Sequence, residues 1–206
     1  WCKPCAQYHR GPPPKQTELN PFPASSPFEV LSVDITGPHP RSRDGNEYIL
    51  TAVDVFSKWA EAIPIRAHTA VIVAKRLVDH VFSKFGVPLR LLSDQGPEFE
   101  SELMAELCRT HGIEKIRTTS YKPSTNGVCE RFHRTLNSML GKVVSESQRD
   151  WDRHVGPVMA AYRATVHKST GYTPNFLVLG RENRAPVDLV LAVGDDEPTG
   201  VGASTD

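Results

Sequence analysis

The 206-residue sequence has no excess of either charge: Lys+Arg and Asp+Glu number 24 each. No global field therefore draws the chain to nucleic acid or to a membrane surface, and any polyanion binding must come from local clusters. No apolar run nears the roughly 20 residues a membrane span needs, and no signal peptide is visible. Cysteine is sparse at four residues, too few for a disulfide scaffold and not paired by position, so a reducing, intracellular setting is expected. An initiating Met is also missing, and the chain opens inside "WCKPC", so it reads as a fragment of something longer. Cys2 and Cys5 make a C-x-x-C, half of a tetrahedral zinc site. With the other ligands absent, no bound zinc is expected in this chain.

What is present suits one domain of ordinary size with flanking pieces. Residues 10–27 hold six prolines and no periodic apolar face, which predicts an extended linker behind a cysteine-bearing remnant at 1–9. Residues 28–36, 47–55 and 59–65 are rich in β-formers, the first two joined through an Asp-Gly step at Asp44, and predict three antiparallel strands. The period then changes. Val73, Leu77, Val78, Val81, Phe82 and Phe85 recur at helical spacing from an N-cap at Thr69 to Gly86. A strand at 88–93 and a helix at 98–111, with Phe99, Leu103 and Leu107 inward, come next. A fifth strand at 113–117, a polar loop at 118–127 and helices at about 128–144 and 151–167 complete the order. That order predicts an α/β domain with a mixed five-stranded sheet covered by helices, spanning residues 28–182. Residues 183–206 form a tail, expected to be disordered from Gly194, where core formers run out.

Within this frame "LLSDQGPEFES" (91–101) drives an apolar strand into Asp94 and turns at once through Gly96 and Pro97. Functional groups of open α/β folds gather beyond the carboxyl ends of strands, although an Asp there can equally be a plain helix cap. Asp34 lies in the first strand, facing away from Leu31 and Val33 on a period of two. Glu130 opens the helix of "NGVCERFHRTLN". If the first and fourth strands are neighbours, the two aspartates converge and the helix can add Glu130. Three crowded carboxylates repel one another unless divalent cations sit between them, and all-oxygen ligands suit Mg²⁺ or Mn²⁺.

Thirty-five residues separate Asp94 from Glu130, and with Asp34 upstream this resembles the D, D-35-E signature of retroviral and retrotransposon integrases. The words around each acid agree: "VDITGP", "SDQGPEF" and "YKPSTNGVCERFHRTL". "WCKPCAQYHR" resembles the end of the family's His-His-Cys-Cys zinc domain, and "DVFSKWAEAIP" is similar to the Gypsy class of long-terminal-repeat retrotransposons and their domesticated descendants. Val128 departs from the Gln of many Gypsy-type relatives. The resemblance implies an RNase H-like fold with helices on both faces of the sheet. It also implies an Asp34–Asp94–Glu130 site holding two Mg²⁺ (or Mn²⁺) ions, with zinc confined to an intact N-terminal domain. The implied activity is 3′-end processing and transfer of element DNA into target DNA by a homo-oligomer acting in the nucleus. A domesticated, inactive integrase serving as a DNA- or protein-binding module is the alternative.

The same resemblance implies DNA contacts. His133, Arg134 and Asn137 share a helix face with Glu130 at i, i+3, i+4, i+7 spacing; Tyr121 and Asn126 precede it in the polar loop, and Pro97 approaches target DNA. That helix face is expected to be solvated. Asp54, near another strand end, is expected to stand outside the metal trio, and Trp59 and Trp151 to be structural.

Overall fold

The computed structural model describes residues 24–117, 123–145 and 147–183, with the backbone alone for 123–126. Residues 10–23 of the expected linker, the Cys2–Cys5 half-site, Tyr121, the side chain of Asn126 and the tail from Gly194 lie outside the described residues.

Three strands build an antiparallel meander: β1 (Val30–Thr36), β2 (Tyr48–Asp54) and β3 (Ala60–Ile65). The chain then crosses the sheet through α1, which begins as Ala70–Leu77, widens into a π turn at Val78–Phe82 and ends in Ser83–Phe85. β4 (Arg90–Ser93) returns parallel to β1, and α2 (Glu102–Thr110) leads to β5 (Glu114–Arg117), parallel to β4. The order across the sheet is β3-β2-β1-β4-β5, the mixed five-stranded arrangement expected from the element order. Helices α3 (Pro123–Leu140), α4 (Trp151–Arg163) and α5 (Pro174–Leu179) complete the domain.

Strand alternation sorts the side chains into two cores. Leu31, Val33, Leu50, Ala52, Ile63, Ile65 and Leu91 pack with Val73, Leu77, Val81 and Phe82 of α1 and with Met104 and Cys108 of α2. On the other face Ile49, Val53, Ala60 and Ala62 meet Phe132, Leu136, Trp151, Val155 and Tyr162 of α3 and α4. Helices therefore cover both faces.

Four local expectations need correction. Thr69 occupies the extended cap position of α1 but its side chain makes no capping bond, whereas Ser101 does cap α2, accepting from the Met104 N–H at 3.2 Å. Because α2 starts at Glu102 rather than 98, its inward stripe shifts to Met104 and Cys108; Leu103 points to solvent and Phe99 is buried from the preceding turn. Helix α3 begins at Pro123, so the segment 123–127, expected as loop, is helical. Proline, with its fixed φ and no N–H, suits a first helical turn. Glu130 thus sits more than a turn into the helix, not at its opening. Helix α3 also stops at Leu140, just before Gly141, and α4 at Arg163, each about a turn short of expectation.

Candidate active site

The parallel pairing of β1 with β4 runs Val30↔Arg90, Leu31↔Leu91, Ser32↔Leu92. Two residues beyond the last of these pairs, toward the carboxyl ends, stand Asp34 and Asp94. Helix α3 packs over β1, β2 and β4 and carries Glu130 on its exposed side.

Asp34 is held at several points. Its main chain pairs with Thr51 on β2, its carbonyl accepts the Thr51 hydroxyl proton at 3.0 Å, and its Oδ1 accepts the Ile35 N–H at 2.8 Å. Oδ2 accepts no hydrogen bond among the described residues, with His133 Nδ1 3.9 Å away. The side chain is only 17 % exposed. Burial, against the relief given by the Ile35 N–H, pushes its carboxyl up to about 6, and the neighbouring Asp94, Glu130 and Glu98 charges push the same way. Asp94 Oδ1 accepts the Gly96 N–H at 3.0 Å. A Cβ on Gly96 would come within 2.9 Å of Glu98 Oε1 and 3.1 Å of Asp94 Oδ1. This glycine therefore keeps space for two carboxylates.

The acids act on one another, yet among the described residues no three His, Cys, Asp or Glu side chains already form a cage around a metal-sized point. Repulsion between like charges keeps such a group apart until a cation joins it. The donor set fits Mg²⁺ or Mn²⁺: hard carboxylate oxygens, among them Oδ2 of a buried aspartate whose ionisation is disfavoured by its surroundings.

Glu98 is a fourth carboxylate that sequence reasoning missed, with Oε2 3.5 Å from His68 Nδ1. Its signal was its place four residues after Asp94 in the same turn. His133 also differs from expectation. It is not on a solvated stripe but largely buried, its Nε2 2.8 Å from Thr51 Oγ1 and its Nδ1 3.9 Å from Asp34 Oδ2. Burial pushes the imidazole down to about 4, so it is neutral near pH 7. Arg134, Asn137 and Pro97 are exposed. Asp54 is fully buried, accepting from the Phe28 N–H, the Ser57 N–H and the Ser57 hydroxyl. It pairs with Leu31, toward the opposite end of β1 from Asp34, and so stands outside the acid group as expected. Trp59 and Trp151 are buried.

Along α3 from Glu130 opens a cleft of about 1300 Å³. Lys58, Arg131, Arg134, His167 and Lys168 line it with several apolar side chains, and its lining includes no Asp or Glu.

Comparison with known proteins places this geometry in a class. The fold matches the HTLV-2 integrase catalytic core domain in complex with magnesium, with a TM-score of 0.61 and 19% identity over 76% of this chain and 99% of that one. It also matches the catalytic core domain of BIV integrase, with a TM-score of 0.58 and 26% identity over 74% and 95%. The domain is thus RNase H-like, of the integrase-core type. Residues 24–123 match the family model described as integrase core domain. The Pol polyprotein of feline endogenous virus ECE1 is 35% identical over 87% of this chain and 17% of its own length. The retrovirus-related Pol polyprotein from transposon 412 of Drosophila melanogaster is 33% identical over 77% and 13%. The chain belongs to the integrase core family of retroviral and retrotransposon Pol proteins, and spans less than a fifth of the length of these relatives.

Proposed function

We propose that the chain is the catalytic core of a DNA integrase, in which Asp34, Asp94 and Glu130 hold two divalent cations and direct phosphodiester transfer. The observation that carries this reading is the β1–β4 register, which sets Asp34 and Asp94 side by side two residues beyond the last pair, with Glu130 of α3 near enough for its charge to act on Asp34; a cation would relieve that crowding. Divalent cations held by these three carboxylates would supply Lewis acidity to the phosphodiester reaction. The chain's own groups have separate tasks. The Ile35 N–H fixes Asp34 Oδ1 and leaves Oδ2 toward the site; the Gly96 N–H fixes Asp94 Oδ1. Exposed Glu130 completes the set from α3. No nucleophilic side chain is required, and the buried thiol of Cys129, pushed up to about 12 by burial, is unsuited to the task.

The substrates are element-end DNA and target DNA. Arg134 and Asn137 meet the DNA end beside Glu130, and the basic lining beyond Arg134 offers the backbone a path along α3. Tyr121, Asn126 and His133 belong to the same end-binding region, and Pro97 meets target DNA. The two reactions are 3′-end processing and strand transfer, carried out by at least a dimer in the nucleus.

The test is a Mg²⁺-dependent strand-transfer assay on protein with its flanking regions restored, comparing the parent with Glu130→Gln. The amide keeps the shape of the side chain but loses the charge that holds metal. Transfer is expected to fall by at least about 10²-fold while DNA binding persists. Equal rates for the two proteins would leave a DNA-binding module without an Asp-Asp-Glu enzyme.

A further inference from the structure

Among the described residues, two polar contacts cross the apolar interface between α3 and the sheet. Cys129 Sγ donates to Ser32 Oγ at 3.2 Å, and His133 Nε2 lies 2.8 Å from Thr51 Oγ1. Ser32 and Thr51 are both fully buried. The hydroxyl proton of Thr51 is committed to the Asp34 carbonyl. With that proton so placed, Thr51 Oγ1 accepts the Nε2–H of His133, one of the two directions this contact allows.

The spacing of the two contacts is matched on both elements. Residues 129 and 133 are four apart on a helix, a rise of about 6 Å. Ser32 and the Asp34–Thr51 pair are two apart along β1, a rise of about 7 Å. Phe132 and Leu136, which fill the rest of the interface with Ile49 and Val53, are non-directional and tolerate sliding. Buried hydroxyls do not, since a slide of α3 would part Ser32 from Cys129 and Thr51 from His133, leaving Thr51 only its bond to the Asp34 carbonyl. Isolated buried polar contacts of this kind set the register of packed helices.

We propose that Ser32–Cys129 and Thr51–His133 form a two-rung latch that fixes the axial position of α3 on β1, and thereby holds Glu130 level with Asp34. His133 is in this account a positioning residue: it stands one turn behind Glu130 and grips the cross-strand partner of Asp34. The inference rests on the reading of Asp34 and Glu130 as a metal-holding pair, but the latch and what it positions are separable by experiment.

The full chain is compared with Thr51→Val, His133→Leu, their double variant and His133→Gln, whose amide can reach the Thr51 hydroxyl. Thermal unfolding reads the latch. Thr51→Val is expected to lower Tm in the parent and to have little further effect in His133→Leu; fully additive shifts overturn the latch. Calorimetric titration with Mn²⁺ alone reads the positioning. His133→Leu and Thr51→Val are expected to weaken Mn²⁺ binding by about tenfold or more, and His133→Gln to recover most of that loss. Parental Mn²⁺ affinity in both His133→Leu and Thr51→Val overturns the positioning role. If His133→Leu fails to fold, Thr51→Val and His133→Gln carry the same comparison. A parent that binds no Mn²⁺ overturns the functional reading instead, and the Tm cycle still decides whether the latch exists.

Discussion

The two faces of the sheet obey different rules. Under α1 and α2 the core is a cluster of aliphatic and aromatic side chains with Cys108 among them, and its ion pair, Lys115 with Glu100 at 2.6 Å, lies half-buried at the β5 edge. Under α3 and α4 the apolar side chains are interleaved with bonded polar groups. Ser32 meets Cys129, Thr51 meets His133, and the Tyr162 hydroxyl donates to the Lys58 carbonyl at 3.1 Å. Dispersion and hydrophobic burial fill space without choosing a register, whereas buried hydrogen bonds are satisfied in one geometry only. One face therefore holds the domain together, and the other aims side chains.

That division makes opposite forecasts for the two faces. Asp94→Asn removes a charge at the acid site while keeping an acceptor for the Gly96 N–H. Strand transfer should fall by about 10²- to 10³-fold or more, as when a principal stabiliser of transition-state charge is lost, with little change in Tm. Leu77→Ala on the α1–α2 face should do the reverse. Leu77 is fully buried, and its truncation should cost about 2–5 kcal/mol of unfolding free energy. Activity per folded molecule should be near that of the parent. A calorimetric scan and a transfer assay on both variants check the pair; a large loss of both properties in either variant breaks the comparison.

Asp34 tests the functional face for the cost of holding a charge in a buried place beside other acids. Its carboxyl ordinarily titrates at 3.8 and is pushed up to about 6 in the fold. Between these values the folded chain keeps a proton that the unfolded chain has lost. Its contribution to stability is complete below pH 3.8 and is lost as pH rises to 6. His133, pushed down from 6.5 to about 4, acts oppositely, since the unfolded chain takes up its proton first as pH falls. The difference between parent and Asp34→Asn isolates the carboxyl. Above about pH 6, without metal, the variant should be more stable by about 1–2 kcal/mol, reduced from the full shift because the group is partly exposed. Below pH 4 the gap should close. Mn²⁺ should raise the Tm of the parent and leave the variant unmoved. Denaturant unfolding at pH 4, 6 and 8 reads the sign; a variant less stable than its parent at pH 8 refutes a cost to ionising Asp34 in the fold.

Much of this was legible in the residues, and the lapses have physical causes. The alternation in "VLSVDIT" put Leu31 and Val33 on one face and Asp34 on the other, and the sheet keeps that division. The apolar approach to Asp94 located a strand end. The Asp94–Glu130 spacing carried the family. What periodicity could not give was tertiary context. His133 looked solvated because its neighbours Arg134 and Asn137 are, yet the single hydroxyl of Thr51, 82 positions away, draws it inward. Leu103 looked buried by type, but the cap at Ser101 set the phase of α2 and turned Met104 inward instead. Glu98 was passed over because its role depends on the turn through Gly96, which brings it back beside Asp94.

The outermost layer of the functional face gives the smallest effect. Arg134 is exposed, one helical turn beyond Glu130, and joins the acid site to a cleft lined by Lys58, Arg131, His167 and Lys168 without an acid among them. If this lining carries a DNA backbone, each cation neutralises a phosphate and releases condensed counterions. Arg134→Ala should then reduce the slope of log K against log[salt] by about 0.9 for duplex DNA. At low salt the loss of affinity should be several-fold, a small effect beside that of Asp94→Asn. Tm and Mn²⁺ affinity should stay at the parental values, because nothing buried is touched. Arg131→Ala, on the next position of the same cleft, should add a similar decrement, giving about two units for the pair. Fluorescence anisotropy with a short duplex from 50 to 300 mM salt measures these slopes. An unchanged slope in the double variant would move the DNA path off this side of α3 and leave the aimed layer of the molecule ending at its acids.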